Sequence, residues 1–194
     1  MSLDKFLTKD EVKAIRAEVR KKKNKSPKEW FLIELGLNTG LRVAEIAGLK
    51  CSDIVLRNEL SHVAVRDGKG HRPREVIISR DFQEEAKEYL DIKQLNGEKI
   101  GPDDILLYSP KSEGAYSTRG LQLAFKRAAK KAKISPEHSI HHLRHTYASM
   151  LYKSSGHNLR LVQKQLGHKR ITTTQVYADV FEKDATTAVD NLFK

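Results

Sequence analysis

The sequence predicts an α+β domain that is mainly α-helical and carries a small three-stranded antiparallel sheet. Two observations support this fold class. Apolar residues recur at helical spacing, between start and stop signals, over most of the 194 residues. Short β-branched runs separated by turn residues are confined to residues 53–79. The length is that of one domain, so we treat 1–194 as a single unit.

The composition is that of a globular protein of the cytosol. Hydrophobic residues make up 39% of the chain, and no apolar run approaches the roughly 20 residues that a membrane-spanning helix needs. The first residues lack the apolar core of a signal peptide. The lone Cys51 cannot form an internal disulfide, so the fold does not depend on an oxidising compartment. We therefore expect a cytoplasmic protein.

The charge balance is strongly positive. Lysine and arginine number 36 against 25 acidic residues, which gives a net charge of +11. Surface lysines keep many proteins in solution, yet so large an excess on a short chain favours a polyanionic partner, above all nucleic acid. A membrane surface is disfavoured because no basic amphipathic helix carries the aromatic anchors expected there. Charge therefore predicts binding but not chemistry.

Two helices are predicted at the start of the chain. Thr8 and Glu11 form a capping-box pattern at the first helix start. At the second, Pro27 follows Ser26 and takes the first helical position. The segment that Pro27 opens is rich in large apolar residues, as one central buried helix would be, and it is expected to stop at Gly40.

Three short β-branched runs predict the sheet. They lie at residues 54–56, 62–65 and 75–78. Turn signals at residues 57–59 and 67–70 separate them, so neighbouring runs are expected to pair as antiparallel hairpins.

Two basic side chains lie beside glycine turns. Arg42 follows Gly40 and opens a short apolar helix at residues 41–49. Taken alone, Arg42 is a surface residue that covers the helix end or pairs with Glu45. Lys69 lies between two glycines at the tip of the second hairpin, where a lysine normally serves solubility.

The middle of the chain alternates helix and loop. A helix is predicted from Asp81 to about Leu95, then an apolar run at residues 105–108 and a polar loop at residues 109–117. Thr118 is expected to cap the next helix. The apolar positions of that helix are Leu121, Leu123, Phe125 and Ala128. Its other face is dense in lysine and arginine, which favours a helix that faces phosphates.

The C-terminal third is predicted to be helical throughout. One helix covers residues 143–153, and a second follows the cap Asn158 and stops at Gly167. Tyr177 is expected on a short turn after these helices, and residues 182–193 are expected to form a last amphipathic helix. Basic groups, imidazoles and a tyrosine near short loops indicate a site for an anionic substrate in this part of the chain.

Five short motifs occur in one order along the sequence. They are Thr39-Gly40-Leu41-Arg42-Val43-Ala44-Glu45-Ile46, Gly68-Lys69-Gly70, His141-His142-Leu143-Arg144-His145-Thr146, Leu166-Gly167-His168 and Tyr177. Each motif is weak alone, but five in register with compatible intervals are specific. Their order closely resembles the catalytic domain of the tyrosine recombinases, the phage integrase family, over almost the whole chain.

The resemblance implies six catalytic residues, which are Arg42, Lys69, His141, Arg144, His168 and Tyr177. The two arginines match those that bind the non-bridging oxygens of the scissile phosphate, a task for which a planar, permanently charged fork is better suited than lysine. Tyr177 matches the nucleophile; with an unperturbed pKa of about 10 it needs a base, for which His141 is the candidate. Lys69 would protonate the leaving 5′-hydroxyl. His168 matches the position after Leu-Gly that is His or Trp in the family.

The resemblance also implies the reaction and the partners. The protein would be a site-specific DNA recombinase or integrase that cleaves and rejoins double-stranded DNA through a 3′-phosphotyrosyl intermediate. No cofactor and no metal are expected, because the covalent link preserves the bond energy and two guanidinium groups replace a metal clamp. A homo-tetramer is expected on DNA, and without DNA the protein could be a monomer. An integrase of a mobile element and a resolvase of chromosome dimers both stay open.

The resemblance also bears on the two ends of the sequence. Full-length members usually carry an N-terminal helical domain that closes a clamp around DNA, and only a few residues precede the first predicted helix here. The clamping domain is therefore expected to be absent from 1–194. Residues 182–194 are a candidate for exchange between subunits, as family members commonly assemble that way.

Two other functions compete with this interpretation. A non-catalytic DNA-binding protein would use the same basic surface and keep its function without Tyr177. A zinc module or metal-dependent hydrolase is suggested by His138, His141, His142 and His145, although the Cys pairs and acidic ligands that such sites usually need are missing. Four histidines are interpreted as ordinary surface or loop residues, namely His62, His71, His138 and His157.

Overall fold

The computed structural model describes residues 6–66, 73–168 and 172–175, and it confirms the predicted fold class. The helices are α1 Lys9–Arg20, α2 Pro27–Thr39, α3 Val43–Ala47, α4 Arg80–Leu95, α5 Thr118–Lys131, α6 His141–Ser154, α7 Leu159–Leu166 and α8 Thr172–Gln175. The strands are β1 Ile54–Val55, β2 His62–Val65, β3 Arg74–Ile77, β4 Tyr108–Ser109 and β5 Gly114–Ala115. Within the described ranges, no helix is both long enough and apolar enough to span a bilayer.

Helix α2 is the centre of the fold and packs against α1, α4, α5 and α6. It is apolar on nearly every face, which suits a helix surrounded by protein. Pro27 is its first residue, and Gly40 ends it in the left-handed conformation with φ +60°. Phe31 is fully buried and stacks on Tyr89 of α4, with ring centroids 4.0 Å apart. The predicted central helix and its stop are therefore confirmed.

A buried ion cluster joins α1 to α2. Helix α1 starts at the predicted capping box, where the Thr8 hydroxyl accepts from the Glu11 amide. Arg16 reaches Glu34 Oε2 through Nε at 2.8 Å and through Nη2 at 2.6 Å, and Arg20 Nε donates to Oε1 at 3.1 Å. Glu34 is fully buried, so the two guanidinium groups offset the cost of removing its carboxylate from water.

The three-stranded sheet has the order β1-β2-β3 and is antiparallel, as predicted. Val65 and Arg74 form the last pair of β2 and β3, next to the connection between those strands. Side chains alternate between the two faces of a strand, so Arg74 shares a face with the buried Val76 and Ile78. The sheet thus directs a charged residue toward the protein interior.

The middle of the chain differs from the prediction in three details. The sequence predicts an apolar run at residues 105–108 and a polar loop at residues 109–117, yet β4 and β5 pair across the junction of these segments as a small hairpin. Ser117, not Thr118, caps α5, because its hydroxyl accepts from the Gly120 amide. Leu123 is 52% exposed, since it lies two positions beyond a buried leucine and so on the opposite side of the helix.

Helices α6 and α7 pack beside the end of α2 and form a second, smaller core of Tyr147, Ala148, Val162 and Leu166. Gly40 lies directly against this core. A Cβ at Gly40 would collide with the Tyr147 ring and lie 3.0 Å from Leu166 Cδ2. Glycine therefore serves both the left-handed turn and the close approach of α2 to the C-terminal helices.

We expect Gly40→Ala to lower the free energy of unfolding by about 3 kcal/mol, because left-handed strain and overpacking add. The matched control is Gly97→Ala, at φ +74° with no atom within 4 Å of the added Cβ, which should cost only about 1 kcal/mol. Urea unfolding of the two variants measures both values. Equal losses would contradict the tight contact at Gly40.

Candidate active site

Arg144 is a buried arginine at the junction of α2, α6 and α7. Only 7% of the residue is exposed to solvent. Nη1 donates to the Gly40 carbonyl at 2.7 Å, and Nη2 donates to the Leu166 carbonyl at 2.9 Å. Both carbonyls lie at helix C-terminal ends, where acceptors lack partners in their own helix and the helix dipole favours a cation. The guanidinium group therefore fixes the ends of α2 and α7 relative to α6.

His168 contacts the same guanidinium group. Its Nε2 lies 2.9 Å from Arg144 Nη2, and its Nδ1 lies 2.9 Å from Thr174 Oγ1. A guanidinium group has no acceptor, so Nε2 must accept the hydrogen bond. The neutral ring then carries its proton on Nδ1, which donates to the Thr174 hydroxyl. The buried Thr174 of α8 thus fixes the tautomer that His168 presents to Arg144.

The imidazole of His168 is neutral at physiological pH. Burial lowers the pKa of His168 to about 4, and the positive charges of Arg144, Arg42 and Arg74 act in the same direction. His145, one position beyond Arg144 on α6, has a smaller effect of the same sign. A neutral ring can keep accepting from Arg144, whereas a protonated ring could not.

Arg42 lies at the start of α3, two residues after the Gly40 turn. Its amide donates to Glu45 Oε2 at 2.8 Å, and its Nη1 donates to Glu45 Oε1 at 3.1 Å. This is the pairing with Glu45 that the sequence suggests. The Arg42 side chain is still 31% exposed, so one side of the guanidinium group is held while the group remains open to solvent.

Glu45 also binds a second arginine, Arg74 from the start of β3. Arg74 Nη1 and Nη2 donate to the two carboxylate oxygens of Glu45, each at 2.9 Å. Burial alone would raise the pKa of Glu45. Hydrogen bonds from Arg74 and from the Arg42 amide, together with the positive charges of the two guanidinium groups, instead lower the pKa of Glu45 to about 2. The carboxylate is therefore ionised throughout the physiological range and bridges two guanidinium groups.

The resulting arrangement is suited to an anion. Arg42, Arg74 and Arg144 are balanced by one carboxylate, that of Glu45, and the imidazole of His168 is neutral. The cluster therefore keeps a net positive charge in a partly desolvated position, where charge-assisted hydrogen bonds to a phosphate oxygen are strong.

The structure describes four of the six predicted residues, namely Arg42, His141, Arg144 and His168. Arg144 and His168 are in direct contact, and Arg42 lies two residues after Gly40, whose carbonyl accepts from Arg144. His141 is the first residue of α6, is exposed, and lies three residues before Arg144, on the same helix face. Lys69 and Tyr177, like the predicted tail helix at 182–194, lie outside the described residues.

The sequence did not identify Arg74 or Thr174 as members of this cluster, nor Gln165, whose carbonyl accepts from Arg74 Nε at 3.2 Å. Arg74 left one usable signal, because it is a charged residue in phase with Val76 and Ile78 of a strand whose other face is exposed. Gln165 and Thr174 left none, since their roles depend on which helix packs against the sheet and the turn.

The histidines of the zinc hypothesis do not form a metal site in the described part of the chain, where no three His, Cys, Asp or Glu side chains are grouped to hold an ion. His138 Nε2 lies 3.2 Å from Glu11 Oε1, and His142 Nδ1 accepts from the Ser139 amide at 3.0 Å. The interpretation of His62 as a surface or loop residue is wrong, because His62 lies in β2 and is 6% exposed. His138 does lie in the loop between α5 and α6, but it is buried there, with 7% exposed. His157 is exposed, as expected, and His71 lies outside the described residues.

Comparison with known proteins agrees with this geometry. Residues 5–184 match the phage integrase family. The chain belongs to that family. Among the integrase-family relatives, tyrosine recombinase XerC of Thermodesulfovibrio yellowstonii is 32% identical over 181 residues, which cover 92% of this chain and 59% of XerC. The chain therefore spans less than two thirds of the length of this curated relative.

Solved structures of integrase-family proteins share the fold. The crystal structure of XerA recombinase superposes with a TM-score of 0.77 at 26% identity, over 94% of this chain and 64% of XerA. The XerH site-specific recombinase, solved bound to its difH substrate before cleavage, gives a TM-score of 0.75 at 27% identity. That match covers 95% of this chain and 53% of XerH.

Proposed function

We propose that this chain carries the catalytic centre of a site-specific DNA recombinase that cleaves and rejoins DNA through a 3′-phosphotyrosyl link to Tyr177. The observation that carries the proposal is the buried guanidinium group of Arg144, held against His168 and the Gly40 turn that leads to Arg42. Membership of the phage integrase family supports the same reaction.

Arg42 and Arg144 bind the two non-bridging oxygens of the scissile phosphate in this mechanism. Negative charge grows on these oxygens in the transition state, so preorganised guanidinium groups lower the barrier more than they stabilise the bound ground state. Arg144 is held by two helix ends and Arg42 by Glu45, so neither group must find its position when DNA arrives. His168 accepts from Arg144 and supports its orientation.

The covalent step exchanges one phosphoester bond for another. Tyr177 Oη attacks the phosphorus and loses its proton to His141, which is exposed at the start of α6. The bond from phosphorus to the 5′-oxygen breaks, and Lys69 delivers a proton to that leaving oxygen. Reversal by a second 5′-hydroxyl rejoins the strand with no net change in bonds, which is why no external energy source is needed.

The partner in this proposal is double-stranded DNA, in keeping with the net charge of +11 and with the difH complex of the XerH relative. Recombination joins two duplexes, so we propose a homo-tetramer on DNA, with residues 182–194 exchanged between subunits. We also propose a cytoplasmic location, where the DNA of such a system lies.

The test is the capture of the covalent intermediate. The chain is incubated with nicked duplexes whose arms are randomised, so that the short 5′-hydroxyl fragment is lost after cleavage and religation is prevented. A protein–DNA adduct that survives denaturing electrophoresis is expected from the wild type and absent from Tyr177→Phe. Sequencing of the captured strands then supplies a preferred duplex for rate measurements.

Each outcome decides between the functions. No adduct from folded protein at DNA concentrations that saturate binding would overturn the proposal. Tight, sequence-selective binding that is equal for wild type and Tyr177→Phe, without an adduct, would favour the non-catalytic DNA-binding function. An adduct that persists in Tyr177→Phe would assign the nucleophile to another residue.

A further inference from the structure

Arg74 is the one arginine of the cluster that the proposed mechanism does not use. It is nearly buried, with 9% of its side chain exposed, and it opens β3 directly after the connection from β2. The Arg42 side chain, by contrast, is 31% exposed. The position of Arg74 raises the question of what a buried cation does beside a site that must bind an anion.

The Arg74 fork makes contacts in two directions. Toward α3 it binds both oxygens of Glu45 at 2.9 Å, and Glu45 in turn binds the side chain and the amide of Arg42. Toward α7 its Nε donates to the Gln165 carbonyl at 3.2 Å. One guanidinium group thus joins the helix that starts at Arg42 to the helix that ends beside His168.

The α7 side of this connection is tightly packed. Gly167 has φ +66°, and a Cβ there would lie 2.7 Å from Arg74 Cδ and 2.9 Å from Arg74 Nε. The Arg74 side chain therefore lies across the turn that delivers His168. The same strand makes a second bond to the same helix, because the Ile77 amide donates to Gln165 Oε1 at 3.1 Å.

We propose that Arg74 is a positioning residue that locks the Arg42–Glu45 unit to the Gly167–His168 turn, so that both sides of the phosphate site are assembled before DNA binds. The role requires arginine, because three donors in a rigid plane reach two carboxylate oxygens and a carbonyl, which one ammonium group cannot do. This inference rests on the proposed function for its catalytic consequence, but its structural part does not.

Two substitutions separate charge from geometry. Arg74→Met removes both, and Arg74→Lys keeps the charge but loses the fork. The matched control is Arg16→Met, since Arg16 also binds a buried carboxylate, that of Glu34, and touches no residue of the site. Thermal unfolding of all three shows how much stability each variant loses, so that loss of activity is not confused with loss of fold.

The first measurement is the single-turnover rate of adduct formation at saturating DNA, on the duplex recovered by the capture experiment. Arg74→Met should slow it about a hundredfold, the typical consequence of misplacing catalytic groups by about 1 Å. Arg74→Lys should slow it about tenfold. DNA concentrations for half-saturation should change by less than about threefold for both, because Arg74 touches the phosphate only through other residues.

The second measurement follows the His168 imidazole by NMR in the free protein, with His168→Gln identifying its resonance. In Arg74→Met the pKa of His168 should rise by about one unit, because a neighbouring positive charge is lost and Glu45 is left less compensated. In Arg74→Lys it should stay near the wild-type value. Arg16→Met should leave both the rate and the titration unchanged.

Three outcomes overturn the inference or the function separately. A folded Arg74→Met variant with wild-type rate and wild-type His168 titration would refute the positioning role while the recombinase function stands. An equal rate loss in Arg16→Met would show that stability, not positioning, is responsible. If wild type forms no adduct, the proposed function fails, and the His168 titration still decides whether Arg74 fixes the His168 turn.

Discussion

Replacing Arg144 by lysine is expected to slow adduct formation about a thousandfold. A single preorganised donor to a transition-state oxyanion commonly contributes two to three orders of magnitude, and the guanidinium group of Arg144 also holds its surroundings in place. Lysine keeps the charge but offers one group where arginine bonds the Gly40 carbonyl, the Leu166 carbonyl and His168 together. The rate is measured in single turnover at saturating DNA, so that weaker binding does not enter.

The same substitution should lower the free energy of unfolding by about 2 kcal/mol, because at least one buried helix-end carbonyl loses its partner. Arg57→Lys is the control, since Arg57 lies exposed in the turn between β1 and β2 and the change is chemically identical. Urea unfolding separates the two effects. A folded Arg144→Lys variant that reacts within about tenfold of wild type would refute the clamp role.

Local signals predicted those parts of the fold that local chemistry determines. The capping box of Thr8 and Glu11, the proline at the start of α2 and the glycine stops after α2 and α7 all form as expected. Each depends on a few neighbouring residues whose hydrogen bonds close within one turn of chain. The antiparallel sheet was also predictable, because its three strands are consecutive in the chain and turn residues separate the β-branched runs that form them.

Very short strands and contacts between distant residues were not predictable. The hairpin of β4 and β5 has two residues in each strand, and its flanks are held by a bond from the Tyr116 amide to the Leu107 carbonyl. His138 is buried because Glu11, far away in the sequence, lies against its ring. Two-residue strands are too short to show an alternating pattern, and no short window contains both Glu11 and His138.

The candidate site also contains residues that local motifs identify and residues that depend on distant contacts. Arg42 and Arg144 are identifiable from their motifs, and the pairing of Arg42 with Glu45 follows from helical spacing. The contact of Arg74 with Gln165 does not, because it requires knowing that α7 packs against β3. The motifs therefore predict the groups proposed to touch DNA and, through Glu45, one residue that holds them, whereas Arg74, Gln165 and Thr174 are revealed only by tertiary packing.

Glu45 is where these two classes of residue meet, and Glu45→Gln is expected to have a large effect on both stability and activity. At pH 7 the variant should lose about 3 kcal/mol of unfolding free energy, because a carboxylate with a pKa of about 2 in the folded state contributes that much relative to its ordinary pKa. An amide presents one acceptor and two donors to the facing guanidinium groups, so it cannot replace both oxygens. Adduct formation should slow about a hundredfold as Arg42 loses its orientation.

The contribution of Glu45 to the free energy of unfolding should decrease as the pH falls. The pKa of Glu45 is lower in the folded than in the unfolded chain, so protonation favours unfolding. Its contribution is complete above about pH 4.5 and is lost as the pH falls toward 2. The stability gap between wild type and Glu45→Gln should therefore be constant from pH 7 to about pH 5.5 and should narrow by about 1.4 kcal/mol at pH 3.5.

His168 does not obscure this comparison, although its lowered pKa also destabilises the fold as the pH falls from about 6.5 toward 4. Wild type and Glu45→Gln share that loss, so it largely cancels in their difference. The control is Glu59→Gln, which removes an exposed carboxylate between β1 and β2 and should change the free energy of unfolding at pH 7 by less than about 0.5 kcal/mol. A gap for Glu45→Gln that stays constant down to pH 3.5 would mean that the carboxylate is not held by the two arginines, and the link between Arg42 and Arg74 would fail with it.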